Sequence, residues 1–215
     1  MQQERFRNRF EAGQLLGRAV RERIDDRTNI IVLALPRGGV PVGFEVARAL
    51  GAPLDVFVVR KLGVPGHEEL AMGAIARGGV RVMNEDVLRY VAVPKHAIEA
   101  VVARELAELA RREQSYRGSN TPLDVTGMTV IVVDDGLATG STMRAAVRAL
   151  RQMNAGTIIV AVPVAAREAC ELMRAEAAEI ICLRTPEPFE AVGLWYDDFS
   201  QTSDGEVHQL LANRT

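Results

Sequence analysis

The amino-acid sequence predicts an α/β fold in which a mostly parallel sheet carries helices on both faces. Strand-like apolar runs alternate with helical patterns along most of the chain, which is typical of parallel strands joined through helices. The runs are apolar throughout, as in residues 29–35 and 157–164, and strands of that kind are buried on both faces. The 215 residues suffice for one core, so we expect residues 1–215 to form a single domain.

The first half of the chain shows helical spacing, apolar runs and turn residues in succession. Residues 62–71 have two glycines, one proline and no periodicity, so we expect an exposed loop there. Gly78 and Gly79 separate two short apolar runs, which indicates a hairpin. The predicted elements are, in order, a helix at 5–24, a strand at 29–35, a helix at 40–50, a strand at 54–61, the loop, the hairpin at 72–84 and the longest helix at 95–113.

The second half repeats the strand and helix alternation after a polar break. Its predicted elements are a strand at 128–133, a helix that ends near Met153, a strand at 157–164, a helix at 167–177 and a strand at 179–184. The core of the domain is therefore expected to extend over residues 28–184.

Charge and composition exclude several classes of function. The formal net charge is −2 and the sequence pI is about 6.0, so we expect neither nucleic acid nor a membrane as a partner. The first ten residues are too charged for a secretory signal, and no apolar run approaches the ~20 residues of a membrane span, which favours a cytoplasmic location. Cys170 and Cys182 have neither metal-ligand spacing nor a disulfide pattern, and we interpret them as reduced thiols.

The most informative segment is VIVVDDGLATGST, residues 130–142. A buried strand ends in Asp134 and Asp135, and a helix is predicted to begin near Ser141. Ligands of open α/β sheets bind beyond the carboxyl ends of the strands, and a helix N-terminus favours phosphate. The acids repel phosphate but accept hydrogen bonds from hydroxyls, so a ribose 5-phosphate meets both demands. The residues expected to hold the 5-phosphate are Gly136, Leu137, Ala138, Thr139, Gly140, Ser141 and Thr142.

This segment closely resembles the phosphoribosyl pyrophosphate (PRPP) motif of the type I phosphoribosyltransferases over all thirteen positions. The alternative is an ordinary strand, turn and helix with a capping Ser or Thr, which does not explain two adjacent acids. The whole chain is most similar to the branch whose members are known simply as predicted phosphoribosyltransferases. The hypoxanthine-guanine members carry an Asp where this chain has Ala138, so the identity of the acceptor base cannot be inferred from any single subfamily.

The resemblance implies further site residues before the motif. The segment PRGG, residues 36–39, stands where the family holds pyrophosphate, so Arg37, Gly38 and Gly39 are implied pyrophosphate ligands. Arg60 and Lys61 could add charge from the end of the next strand, or they could be a solvated pair. Residues 62–71 match the family's mobile loop in position. The roles of three titratable residues in that loop stay open: His67, Glu68 and Glu69.

The resemblance also implies that residues 185–215 form a hood that selects the base. This segment contains the only tryptophan of the chain, and its aromatic and acidic residues could contact a heterocycle. The alternative is that Trp195 and Phe199 simply seal the edge of the sheet. The implied base-binding residues are Trp195, Tyr196, Asp197 and Phe199.

The implied activity is transfer of a phosphoribosyl group from Mg-PRPP to a nitrogenous base, with a purine favoured. Asp134, Asp135, Arg37 and Lys61 are the implied catalytic residues. Mg²⁺ is the implied cofactor, held mainly by the substrate and assisted by Asp134 and Asp135, directly or through water. Two alternatives remain open: a PRPP-binding regulator, and transfer to a non-base acceptor. The resemblance also leaves a homodimer open.

Overall fold

A computed structural model describes residues 5–24, 28–117 and 123–213 of the chain. It contains eight strands and seven α-helices in these ranges. In chain order they are α1 Arg9–Arg23, β1 Ile30–Ala34, α2 Gly39–Leu50, β2 Leu54–Val56, β3 Val59–Val64, β4 His67–Ala76, β5 Val80–Met83, α3 Glu85–Val91, α4 Lys95–Arg117, β6 Thr129–Val133, α5 Ser141–Gln152, β7 Thr157–Val164, α6 Arg167–Glu176, β8 Glu179–Arg184 and α7 Asp204–Ala212.

Five strands form a parallel sheet in the order β2-β1-β6-β7-β8. Every residue of β1 is buried, as are residues 130–133 of β6, because helices cover both faces of the sheet. On one face, Leu16 of α1 and Val46 of α2 pack against alternate strand residues. On the other face, Val147 of α5 and Met173 of α6 do the same. The predicted fold class is therefore confirmed.

A second sheet of three antiparallel strands, in the order β3-β4-β5, has its own small core. Leu62, Met72 and Ile75 of this sheet are buried against Val101 and Val102 of α4. The prediction of a single strand at residues 54–61 is wrong, because this segment contains two strands, β2 and β3, that belong to different sheets. The chain leaves the parallel sheet at Phe57, which is buried in the main core and donates its backbone N–H to Ala34.

The prediction of a loop at residues 62–71 is also wrong, although residues 65–68 are exposed as expected. These residues form most of the hairpin β3–β4, which turns at residues 65–66, and Leu62 and Val64 are fully buried. A bulge at Gly63 shifts the register and interrupts the alternating pattern of the strand. The two strands approach closely at this point, because a Cβ atom on Gly63 would lie 2.6 Å from the carbonyl oxygen of Glu68. The hairpin predicted around Gly78 and Gly79 is present as β4–β5. Helix α3 was not predicted.

The segment after β8 folds back onto the amino-terminal residues. It contains a short 3₁₀ turn at Val192–Trp195 and then α7. The backbone of Phe6 pairs with this segment on both sides, donating to the carbonyl of Trp195 at 2.9 Å and accepting from Asp197 at 2.8 Å. The amino-terminal residues therefore pack against the segment in which the hood was predicted. None of the helices in the described ranges is long and apolar enough to cross a membrane.

Candidate active site

The loops after β1 and β6 lie side by side at one edge of the parallel sheet. The two strands are neighbours with the same direction, so their carboxyl ends meet. A Cβ atom on Gly39 would lie 2.7 Å from the carbonyl oxygen of Val133, and one on Gly38 would lie 2.0 Å from Oδ2 of Asp135. The glycines of the PRGG segment therefore allow its backbone to contact the segment that carries the acids.

Each of these loops leads into a helix whose N-terminus faces the same edge. The N-cap residues of α2 and α5 are Gly38 and Gly140, which have no side chain to cap the first N–H groups. In α5 the hydroxyls of Thr139 and Ser141 lie 2.9 Å apart beside these groups. In α2 the N–H groups of Gly39 and Val40 already donate to the carbonyls of Leu35 and Arg37, and Pro41 has no N–H. The arrangement therefore suits a bound anion best at the start of α5, while α2 offers the positive end of its dipole.

The loop at 136–142 is buried at Leu137 and Gly140, half-buried at Gly136 and exposed at its other residues. Leu137 is buried, donates its backbone N–H to Val164 at 3.0 Å and accepts from Ala166 at 2.9 Å. The backbone of Gly136 lies against the side chain of Val192 in the hood. Ala138, Thr139, Ser141 and Thr142 are exposed. The predicted phosphate ligands therefore divide into two buried anchors at Leu137 and Gly140 and an exposed rim.

The two acids have different partners. Asp134 accepts a hydrogen bond at Oδ1 from the backbone N–H of Asp135 at 2.8 Å. Asp135 accepts a charged hydrogen bond at Oδ2 from Nε of Arg9, also at 2.8 Å. Its backbone carbonyl accepts from the hydroxyl of Tyr196 at 2.6 Å. Asp135 is therefore held by α1 and by the hood, whereas Asp134 is held only locally in the described residues.

Burial dominates the electrostatics of this acid pair. It raises the pKa of Asp134, and the neighbouring charge of Asp135 raises it further. Burial also raises the pKa of Asp135, although the Arg9 guanidinium opposes that change. Burial and the charge of Asp135 raise the pKa of Tyr196, which keeps its hydroxyl protonated as a hydrogen-bond donor. Two adjacent, largely buried acids favour a ligand that donates hydrogen bonds or carries positive charge.

The predicted pyrophosphate cations contact other parts of the molecule in this structure. Arg37 lies 3.7 Å from Asp204, at the start of α7, and keeps about a third of its side chain exposed. Arg60 donates two hydrogen bonds to Glu105 of α4, at 2.9 and 2.6 Å. Arg37 can turn toward the loops by breaking one long contact, whereas Arg60 is fixed to α4. The structure therefore brings Arg37, and not Arg60, to the site.

Lys61 lies on the opposite side of β3 from Arg60, as alternate residues of a strand must. It lines a pocket of about 350 Å³ between the hairpin sheet and α5, together with Ser141 and Thr142. Lys61 is therefore placed beside the phosphate loop rather than beside the PRGG segment. His67 and Glu68 are exposed near the tip of the hairpin, and the side chain of Glu69 lies outside what the structure describes.

The aromatic residues of the hood pack mainly on each other. Tyr196 is buried against Phe6, with ring centroids 5.5 Å apart, and offers no open face to a base. Trp195 is half-buried in the same cluster. Phe199 contacts Tyr196 and the guanidinium of Arg9 and is about one-third exposed. This packing is consistent with the alternative in which Trp195 and Phe199 seal the edge of the sheet and do not contact a base.

The sequence did not single out Arg9 or Asp204, although the structure places both at the site. Arg9 is one of several arginines in the segment RFRNRF, and no local pattern distinguishes it. Asp204 was not separated from the other acids of the hood. Asp197 is exposed, as a base-binding acid requires, and its backbone N–H donates to Phe6. Only the tertiary contacts select these side chains.

An acid pair at the carboxyl edge of a parallel sheet, directly before the N-terminus of α5, is the arrangement expected of a phosphoribosyltransferase-type domain. The comparison with known families agrees: residues 3–197 match the phosphoribosyl transferase domain. The chain therefore belongs to the phosphoribosyl transferase domain family.

Relatives and solved structures support the same assignment. Rv0571c from Mycobacterium tuberculosis, provisionally named a phosphoribosyl transferase, is 45% identical over 206 residues, covering 96% of this chain and 46% of the relative. The chain thus spans about half the length of the curated relatives it matches. The crystal structure of TT1426 from Thermus thermophilus is 42% identical, with a TM-score of 0.86 and coverage of 96% of this chain and 97% of that one. AQ2163 from Aquifex aeolicus, 13% identical with a TM-score of 0.51 over 86% and 78% of the two chains, shares the fold.

Proposed function

We propose that this domain transfers the 5-phosphoribosyl group of PRPP to a nitrogenous base and releases pyrophosphate. One observation carries the proposal: the acid pair lies at one sheet edge, in contact with the PRGG segment and directly before the N-terminus of α5 at Gly140. PRPP has phosphate at both ends of a ribose and vicinal hydroxyls between them. The order of groups in the ligand therefore matches the order of donors and acceptors in the site.

The exposed rim of the phosphate loop binds the 5-phosphate in this proposal, through the hydroxyls of Thr139 and Ser141 and the first N–H groups of α5. Asp134 accepts hydrogen bonds from the ribose hydroxyls. The side chain of Arg37, helped by the positive end of the α2 dipole, binds the pyrophosphate, on which negative charge develops as it leaves. These groups hold the sugar with C1 open to the acceptor.

The transfer itself forms one bond and breaks one. A ring nitrogen of the base gives its lone pair to C1, and the bond between C1 and the pyrophosphate oxygen breaks with its electrons on oxygen. The N–H proton of the base passes to water. Positive charge at Arg37 stabilises the leaving group, so most of the catalysis is electrostatic and little general acid–base chemistry is required.

The donor set fits Mg²⁺ carried by the substrate better than a metal held by protein alone. The described residues contain no group of three or more His, Cys, Asp or Glu side chains that could hold an ion. Mg²⁺ keeps several waters and is often held by one or two carboxylates together with substrate phosphates. Asp134 is the carboxylate available for this, with Asp135 behind it. The ion would supply charge neutralisation to the pyrophosphate.

A purine is the proposed acceptor class. The hood carries Glu190, Asp197 and Asp198 on exposed positions, and this negative charge opposes an acidic base such as orotate. Asp197 can accept a hydrogen bond from an exocyclic amine or a ring N–H. A site built around such a bond rejects analogues that lack the donor.

Binding and turnover should be measured on the same protein. Calorimetry with PRPP, with and without excess chelator, tests the metal dependence of binding. Parallel reactions with Mg-PRPP and adenine, guanine, hypoxanthine, xanthine or orotate test the transfer, with nucleotide and pyrophosphate measured by chromatography. We expect slow turnover with at least one purine and none with orotate.

Each outcome discriminates between proposals. Equal PRPP affinity in excess chelator would contradict the metal requirement. Robust orotate turnover would contradict the hood argument. Tight PRPP binding without turnover of any base would favour a PRPP-binding regulator or a non-base acceptor, and release of pyrophosphate separates those two. Absence of PRPP binding would remove the proposed function altogether.

A further inference from the structure

Arg9 makes three contacts that join separate parts of the site. Its Nε donates to Asp135 at 2.8 Å, and its Nη1 donates to the backbone carbonyl of Ser200 in the hood at 2.7 Å. Its guanidinium carbon lies 3.9 Å from the centroid of the Phe199 ring. The side chain is only 10% exposed. One buried cation therefore connects α1, the acid pair and the hood.

Asp135 is restrained from two further directions. The Cα of Gly38 lies so close to its Oδ2 atom that a Cβ there would approach to 2.0 Å. The hydroxyl of Tyr196 donates to the backbone carbonyl of Asp135 at 2.6 Å. Turning the Asp135 carboxylate toward a ligand would break its bond to Arg9 and leave a buried cation without that partner, which is costly. The carboxylate of Asp134 has no such bond to a cation in the described part of the chain.

We propose that Arg9 is a positioning residue that gives the two acids different roles. It fixes Asp135 in a structural role and couples it to the hood, and it leaves Asp134 to accept hydrogen bonds from the ribose hydroxyls. The assignment of Asp134 to ribose rests on the proposed function. The coupling of Arg9 to Asp135 and to the hood does not.

Arginine suits this task for a geometric reason. Its planar guanidinium donates in two directions and stacks on an aromatic ring at the same time. A lysine at position 9 would keep the charge but could not make all three contacts. Arg9→Lys should therefore retain part of the Asp135 contact and lose the connection to Ser200, whereas Arg9→Gln should lose both.

A double-mutant cycle tests the division of the pair. The variants are Arg9→Gln, Asp135→Asn, Asp134→Asn and the two double variants that contain Arg9→Gln, each titrated with Mg-PRPP by calorimetry. Arg9→Gln should weaken binding about ten- to one-hundred-fold, as loss of a residue that orients the groups around a ligand does. Adding Asp135→Asn should weaken it little further, whereas adding Asp134→Asn should multiply the loss.

Arg7→Gln is the matched control. Arg7 lies two residues before Arg9, pairs with Glu11 and is mostly exposed. This variant should bind as the wild type does. Trp195, the only tryptophan, reports on the hood: PRPP should change its fluorescence in the wild type and Arg7→Gln, but not in Arg9→Gln or Arg9→Lys. A merely structural role of Arg9 would leave this optical response intact wherever binding persists.

The proposal is overturned if the losses of Arg9→Gln and Asp135→Asn multiply as independent changes, or if Arg9→Gln keeps the Trp195 response. Hydrogen exchange on the ligand-free proteins gives a second test that needs no PRPP. In Arg9→Lys and Arg9→Gln, exchange should rise in residues 134–137 and 196–200 together, and a rise in one segment alone would contradict the coupling. Failure of the wild type to bind PRPP would contradict the proposed function only.

Discussion

The loops of the parallel sheet and the strands of the hairpin sheet contribute to the site in different ways. The parallel sheet contributes backbone: the loops after β1 and β6 approach so closely that Gly38 and Gly39 have no room for a Cβ atom. The hairpin sheet contributes a long side chain, Lys61, from a strand with a separate small core. Backbone groups in the first region are fixed by covalent geometry, whereas the flexible side chain of Lys61 in the second region could adjust to the proposed ligand.

A buried charge cluster joins the two regions. Arg77, in the turn between β4 and β5, donates to Asp55 of β2 at 3.2 Å. Its Nε atom lies 3.6 Å from Oε1 of Glu113 on α4, which is too long for a hydrogen bond. Arg77 and Asp55 are both more than nine-tenths buried. The comparison predicts that substitutions in this cluster act on the whole molecule, whereas those at the loops act on the site.

Arg77→Met should have the largest effect. It leaves Asp55 buried without this cation, and breaking a buried ion pair costs about 3–5 kcal/mol of unfolding free energy. Urea unfolding followed by circular dichroism measures the loss. Arg81→Met is the control, because Arg81 and Glu99 form an exposed pair in which either partner contributes about 0–1 kcal/mol. Equal effects of the two substitutions would contradict a structural role for the cluster.

Gly38→Ala should rank second. The new methyl group would displace the Asp135 carboxylate, which Arg9 holds in place, and overpacking of this kind costs about 1–3 kcal/mol. Thermal unfolding and PRPP calorimetry should both report the loss. Gly205→Ala is the control, since the nearest atom to its Cβ is 3.8 Å away and its φ is not positive. Alanine in that helix should be neutral or stabilising. A Gly38→Ala protein with wild-type stability and affinity would show that the two loops are not in contact.

Thr139→Val should weaken PRPP binding by about 1.5 kcal/mol, the lower end for hydrogen bonds to charged groups, since the loop is exposed. Its unfolding free energy should fall by at most about 0.5 kcal/mol, because the only backbone bond lost is the long one from the Ser141 N–H to Oγ1 at 3.4 Å. Thr139→Ser keeps the hydroxyl and should bind as the wild type does.

Lys61→Met tests which sheet contributes more to PRPP affinity. If it weakens PRPP binding more than Thr139→Val does, the hairpin sheet and not the parallel sheet dominates phosphate binding.

Glu113→Gln should have the smallest effect, visible as a change in pH dependence. Burial and the nearby charge of Asp55 raise the pKa of Glu113, so the folded state holds this proton more tightly than the unfolded state. The stabilisation is complete below the unfolded pKa of about 4.3 and is lost as pH rises through the raised folded pKa. Unfolding measured across that window should show this decline in the wild type and not in Glu113→Gln.

Glu108, on the same helix, is a control because its pKa is shifted in the opposite direction to that of Glu113. Hydrogen bonds from Arg111 and Arg112 lower its pKa to about 2. Its contribution is therefore present above a pH of about 4.3 and lost as pH falls toward the folded pKa. A wild-type protein that becomes more stable relative to Glu113→Gln as pH rises would contradict the assigned direction.

Much of the fold could be predicted from the sequence because its signals are local. The apolar runs that became β1, β6 and β7 are buried on both faces, and their composition shows this directly. The hairpin β3–β4 was missed because a bulge at Gly63 breaks the alternation that identifies a strand. The break of residues 54–61 into two strands depends on which sheet each residue joins, and no local pattern encodes that choice.

The sequence by itself determined the acid pair and the loop proposed to bind phosphate, since their residues are contiguous from 130 to 142 and follow one strand end. Only the tertiary structure decided how the two acids differ. Arg9 reaches Asp135 across 126 positions of sequence, and Ser200 across 191. It also decided that Tyr196 faces the core while Lys61 faces α5. Such contacts arise from the packing of distant segments, in which burial and geometry select one arginine among many.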